Sequence, residues 1–300
     1  MRREDVYATA PVRVGADGRD RWFTDGYLAF PGLIPRADVD ALRACLDGII
    51  ESSRDMVEST HLIDLEAGHT RDEPRLRRAA CLDDVDPLFW EFCRDSVLVD
   101  IAADILGPNV RFREAYANLK WAGGGAAVDW HQDLAFYPHT NTSTCQFVVV
   151  LDEVTVDRSP LVVVPGSHLG PLYSHYDLDG TWTGSIDPSR LVDANLEDAV
   201  ALTGPAGSVS VHHGLMLHHS APNFSDHNRP ALIITYTAAD SIPYTAAPYR
   251  SSHHAELVRG SEPGTAHHED LTFILPPDWS AGYTSLFAHQ HDRPQAPSTD

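Results

Sequence analysis

Val110–Asp133 reads VRFREAYANLKWAGGGAAVDWHQD. Val110 to Trp121 is an extended, β-rich run, Gly123-Gly124-Gly125 interrupts it, and the chain then enters a second run ending in Trp130-His-Gln-Asp133. Runs of the same texture recur at Gln146–Leu151, Leu161–Val164, Ser208–His212 and Ala231–Thr237, separated by glycine, proline and polar loops. Strands punctuated by turns, with no helix between them, predict a mainly β fold with flanking helices. Its core is expected to be a double-stranded β-helix of the jelly-roll or cupin-like kind, not an alternating βαβ sheet.

Upstream of Pro108 the apolar spacing is helical. Val39, Leu42, Leu46, Ile49 and Ile50 place one apolar face on a helix from Arg36 to Ser52, opened by Pro35. A second helix is predicted from Pro87 to Leu106, stopped by Gly107-Pro108. Trp22 to Ile34 reads as a short strand between turns, and Glu51 to Pro74 as a polar connection. The 300 residues are read as a single domain: helical support over roughly 20–107, the jelly-roll core over roughly 108–240, and a C-terminal extension over 241–300.

A net charge of -21 argues against nucleic acid or an anionic membrane as partner, because the long-range field repels both. Cys45, Cys81, Cys93 and Cys145 are scattered and form no C-x-x-C pair, so they read as thiols in a reducing compartment. The N-terminus lacks the apolar stretch of a signal peptide, and a cytoplasmic location is expected. The partner left open is a small-molecule substrate.

The chemistry concentrates in two places. On an extended backbone His131 and Asp133 project from one face, so a single ion can take both. A third donor of the right kind lies in Val211–Ser220, which offers His212, His213, His218 and His219; alternation admits only one of each adjacent pair, and Gly214 prevents a choice by periodicity. Two imidazoles and one carboxylate with open positions is the ligand set of non-haem Fe(II) oxygenases. Lys120 is the only lysine in a chain that otherwise uses arginine, which suggests either a needed compact ammonium or a chance survivor.

Trp130-His-Gln-Asp133, Phe136-Tyr-Pro138, Pro165-Gly-Ser-His168, His218-His-Ser-Ala-Pro-Asn223 and Arg229-Pro230 together resemble the phytanoyl-CoA dioxygenase family of Fe(II)/2-oxoglutarate oxygenases, in order and in spacing. The resemblance selects His218 beside His131 and Asp133 as metal ligands, and implies Arg229 as partner of the distal carboxylate of 2-oxoglutarate. It implies Fe(II), 2-oxoglutarate and O2 as cofactor and co-substrates, and hydroxylation of an unactivated C–H bond with release of succinate and CO2. The retained Asp133 favours hydroxylation over halogenation.

Lys120 is expected to project into the barrel and meet 2-oxoglutarate or an anionic substrate group. Tyr116, Asn118, Phe136, Tyr137, His139 and Asn141 are candidates for the pocket wall, and the run to Asn141 is similar to members that hydroxylate aminophosphonates; other members act on specialised metabolites. Two departures stand out, Arg158-Ser159 where Asn-Gly is common and His219 where glycine often follows the distal ligand; His168, by contrast, matches the family's Pro-Gly-Ser-His turn and reads as mainly structural. Two other classes compete, a zinc-dependent hydrolase on a cupin-like barrel, which has no need of Arg229, and a non-catalytic jelly-roll binding protein.

Overall fold

The computed structural model describes residues 3–291 apart from 282 and 284. Among these residues the strands, in chain order, are β1 (Tyr27–Phe30), β2 (Ile63–Leu65), β3 (Leu76–Ala80), β4 (Val110–Lys120), β5 (Val128–His131), β6 (Thr144–Val150), β7 (Leu161–Val163), β8 (Val200–Leu202), β9 (Val209–His213), β10 (His218–Ser220), β11 (Arg229–Ala238) and β12 (Leu257–Arg259). They form two antiparallel sheets. The larger runs β1-β9-β6-β11-β4-β3-β2 with β12 added to β4, and the smaller runs β5-β10-β7-β8. This is the mainly β, jelly-roll architecture expected from the strand runs after Pro108.

Period-2 alternation divides the large sheet between two surroundings. Phe147, Val149, Leu232, Ile234, Tyr236, Ala115 and Ala117 face the helices and join the main core with Val39, Leu42, Leu46, Phe89 and Leu98. Their neighbours Val148, Ala231 and Ile233 pack on the opposite face, as does Tyr116. Every residue of β11 is buried, because helices cover one face and the small sheet the other. Arg229 belongs to the second set by parity, so the strand itself turns it inward.

The Arg36–Ser52 helix is found as read. The second helix is broken in two, Pro87–Asp95 and Val97–Leu106. Ser96 is extended and its hydroxyl accepts from the Leu98 amide, so it caps a new helix where apolar spacing alone suggested continuity. Trp22 and Phe23 lie in a helix, Ala16–Asp25, that ends on Gly26 at φ 78. Here glycine is required twice, by the left-handed backbone and because a Cβ would stand 2.3 Å from the His168 ring. The polar connection contains β2, and β3 follows it with Arg77 and Arg78 both buried. The cysteines are free. No helix among the described residues is long and apolar enough to cross a membrane.

Candidate metal centre and cavity

β5 ends at His131 and β10 opens at His218, and the two are direct partners across the antiparallel pair. Their rings therefore meet, with centroids 4.0 Å apart. Each Nδ1–H donates to a carbonyl two residues back, His131 to Asp129 at 2.8 Å and His218 to Met216 at 2.9 Å. These bonds settle the tautomer and leave both Nε2 lone pairs free. The Nε2 atoms lie 3.7 and 3.6 Å from Asp133 Oδ1, and one donor atom from each of the three residues falls within 4.8 Å of the others.

Asp133 is not on the strand. Gln132 is still extended, but Asp133 opens a 3-10 turn, Asp133–Ala135. Gln132 pins that transition: its side-chain amide donates to Leu215 O at 2.8 Å and Pro171 O at 3.1 Å, and its carbonyl accepts from the Tyr173 amide at 2.9 Å. The Gln132 amide donates to His175 Nε2 at 2.9 Å, while His175 Nδ1 donates to Tyr173 O. Burial pushes His175 down to about 3, which keeps it neutral and able to accept.

The outer oxygen of Asp133 is occupied. Oδ2 accepts from the Gln146 amide and from His212 Nε2 at 3.1 Å. Gln146 is oriented in turn by the Tyr116 hydroxyl, which donates to its carbonyl at 2.8 Å. Burial would raise the Asp133 carboxyl, but His218, His212 and His131 outweigh it and hold the group well below the usual carboxylate range. Burial lowers His131, and lowers His218 strongly. Two neutral imidazoles and one ionised oxygen, each steadied from behind, fit a divalent transition metal.

Alternation along β10 separates His218 from His219. The His219 ring lies on Trp130, centroids 4.1 Å apart, and borders the second pocket without joining the ligand set. His213 faces outward, against Trp22 and His168. His168 sits on that outer side, away from Asp133.

Two adjoining pockets of about 40 and 60 Å³ meet at the triad and share Arg78, Tyr116, His131, Gln146 and Leu286. Arg229 and Asn118 line the second. The Arg229 Nε donates to Ser159 O at 3.1 Å, its charge has no carboxylate partner among the described residues, and burial alone lowers it to about 10. Asn118 Oδ1 is buried without a partner. A buried, unpaired guanidinium beside a metal-ligand set suits a chelating diacid whose far carboxylate it can take by two parallel bonds. Ser159 stands at φ 53, so Arg158-Ser159 keeps the left-handed turn that glycine or asparagine adopts easily, and presents its carbonyl to Arg229.

Phe136 and Tyr137 line the first pocket, as does Tyr116. His139 and Asn141 do not line either pocket. His139 Nδ1 bonds Tyr137 O within the turn after Asp133, whereas Asn141 holds the carbonyls of Asp240 and His267 and so fastens that turn to the C-terminal segment. Lys120 also requires correction. Its ammonium is turned to the carbonyls of Ser220 at 2.9 Å and Ala221 at 2.6 Å, just past β10, and it lines neither pocket. Arg229 is its direct register partner on β11, and burial together with that neighbour lowers its affinity for a proton. Residues that sequence reading passed over are Gln146 and Arg78; His212, offered there as a possible third donor, instead holds the outer oxygen of Asp133.

The phytanoyl-CoA dioxygenase family model matches residues 22–231. The probable alpha-ketoglutarate-dependent hypophosphite dioxygenase of Stutzerimonas stutzeri is 34% identical over 177 residues, covering 56% of this chain and 59% of that protein, less than two thirds of its length. L-proline trans-4-hydroxylase of Streptomyces griseoviridis is 31% identical over 246 residues, covering 76% of this chain and 88% of that protein. The crystal structure of EctD from S. alaskensis with bound Fe superposes with a TM-score of 0.65 at 21% identity, covering 87% of this chain and 89% of that one, which speaks to the fold. The chain therefore belongs to the phytanoyl-CoA dioxygenase family, and with it to the iron- and 2-oxoglutarate-dependent dioxygenases.

Proposed function

We propose that this chain, as one oxygenase domain, hydroxylates an unactivated C–H bond of a small polar molecule, with 2-oxoglutarate and O2 consumed and succinate and CO2 released. The observation that carries the reading is the convergence of His131, Asp133 and His218 on one cavity that also holds the unpaired Arg229.

His131 and His218 would hold the iron through Nε2 and Asp133 through Oδ1. Bound iron supplies the oxidising chemistry that splits O2 and functionalises the C–H bond. The chain does the rest. Arg229 takes the far carboxylate of 2-oxoglutarate and sets its orientation. Gln146 and His212 hold the second oxygen of Asp133, so the carboxylate cannot swing to bind through both oxygens and open positions are kept. Tyr116, Phe136 and Tyr137 wall the neighbouring pocket, orient the substrate and exclude water. The relatives named for hypophosphite and L-proline support a small polar substrate, and the first agrees with an aminophosphonate.

The test is turnover with Fe(II), 2-oxoglutarate and O2 over a panel of small acids and amino acids, scored by succinate. Succinate formed in step with hydroxylated product, and lost when Zn(II) replaces Fe(II), is expected. Hydrolysis supported by Zn(II) and untouched by Arg229→Ala would instead establish the zinc enzyme.

A further inference from the structure

Resting on that reading, we infer that Arg78 is the receptor for a negatively charged group on the substrate. Arg78 comes from β3, is buried, and lines both pockets beside the triad. Its guanidinium carbon lies 3.7 Å from the centroid of the Tyr116 ring and 4.6 Å from that of Tyr249. Stacking of this kind uses the π faces of a guanidinium and leaves its in-plane N–H rim for an oxyanion, the geometry of a bidentate contact.

The charges on this wall do not otherwise close. Of the two carboxylates lining the same pocket, Asp133 is held by Gln146 and His212, and Glu114 is paired with Arg113 at 2.6 Å. Arg229 is assigned to 2-oxoglutarate. Arg78 is left with a buried Nε that has no hydrogen-bond partner among the described residues. A buried cation kept in this condition is costly unless a ligand completes it. Tyr137, on the same pocket, has a buried hydroxyl without a partner and can donate to the same anion. The shared chemistry is a small oxyanion, carboxylate or phosphonate, held at one end while the reacting carbon faces the triad.

The experiment uses the full chain loaded anaerobically with Fe(II) and 2-oxoglutarate, whose visible absorption reports a formed metal centre. Methylphosphonate and acetate are titrated calorimetrically against their neutral counterparts, dimethyl methylphosphonate and acetamide. The anions should bind, the neutral compounds on the order of 100-fold more weakly, and Arg78→Gln should weaken the anions by a similar factor with the absorption unchanged. Arg78→Lys, which keeps charge without the fork, should recover part of the affinity. Preference for methylphosphonate would identify a tetrahedral substrate group, and preference for acetate a carboxylate. Failure of both anions to bind, equal binding of the neutral compounds, or anion affinity unchanged in both variants would overturn the assignment. If the absorption fails to develop in the unsubstituted chain, the oxygenase reading falls, while the same titration without metal still decides Arg78.

Discussion

At the metal end of the cavity His131, His218, Gln146, His212 and Arg229 all stand on paired strands, with Asp133 two residues beyond one, whereas the first pocket draws its wall from distant segments. That wall takes Arg78 from β3, Phe136 and Tyr137 from the turn after Asp133, and Tyr249, Tyr283 and Leu286 from the C-terminal extension. Strand register sets the first group to within the tolerance that metal coordination needs, because a shift of one residue would turn every side chain to the other face. Apart from Arg78, which β3 holds opposite Asn118, the second group depends on packing between distant segments, which tolerates replacement residue by residue. Chemistry and selectivity are therefore carried by differently built halves of one cavity.

The widest gap between the halves should open on removing a ligand. His131→Ala, Asp133→Ala or His218→Ala should each lower turnover by at least about 10³-fold, since an open position or a lost charge disables the metal. His219→Ala, one residue along the same strand, should leave turnover close to the starting value; succinate release measures both. A reversal between 218 and 219 would mean that the register of β5 against β10 is wrong. Arg229→Ala should raise the KM for 2-oxoglutarate by about 100-fold, read from initial rates at varied co-substrate.

Smaller effects sharpen the boundary. Gln146→Ala or His212→Phe should weaken Fe(II) binding by about 10- to 100-fold in equilibrium titration, with the triad itself intact. Lys120→Met should cost roughly 1–3 kcal/mol of stability in denaturant unfolding, because the Ser220 carbonyl loses the ammonium and the Ala221 carbonyl keeps only the Ser159 hydroxyl. Its KM for 2-oxoglutarate should hardly move; a large rise would bring the ammonium back into the site.

The smallest effect concerns acid. The folded His175 titrates near 3, below the unfolded value of about 6.5, so the unfolded chain takes up a proton first as pH falls. Its contribution is therefore complete above about pH 6.5 and is lost at about 1.4 kcal/mol per unit towards pH 3. Replacing His175 by Gln should flatten that part of a stability–pH curve, and an unchanged slope would show that His175 does not contribute to it.

The strand-built half was legible in the chain because its signals are short: an H-x-D triplet, a histidine pair, and an arginine opening an apolar strand. The choice between His218 and His219 was not, since β10 is only three residues long and its parity is set by pairing with His131, far away in sequence. Gln146 could have been suspected as the polar residue that immediately precedes the apolar run from Phe147 to Val150 and shares Val148's parity. Arg78 could not. It follows a charged connection and resembles a surface arginine until Tyr116 and Tyr249 close on it. Lys120 misled for a related reason, because rarity in the composition marks a needed ammonium without saying whether it meets a ligand or two backbone carbonyls.

His131, Asp133, His218 and Arg229 are proposed to act as one unit on iron and 2-oxoglutarate. Anaerobic titration of the metal-free chain with Fe(II) and then 2-oxoglutarate tests it directly, through the weak visible absorption of the iron-chelated keto acid. The absorption should appear with one equivalent of each, fail to form in His218→Ala, and need far more 2-oxoglutarate in Arg229→Ala. A well-folded chain that binds Fe(II) without developing the absorption, or an Arg229→Ala variant indistinguishable from the parent, would contradict it.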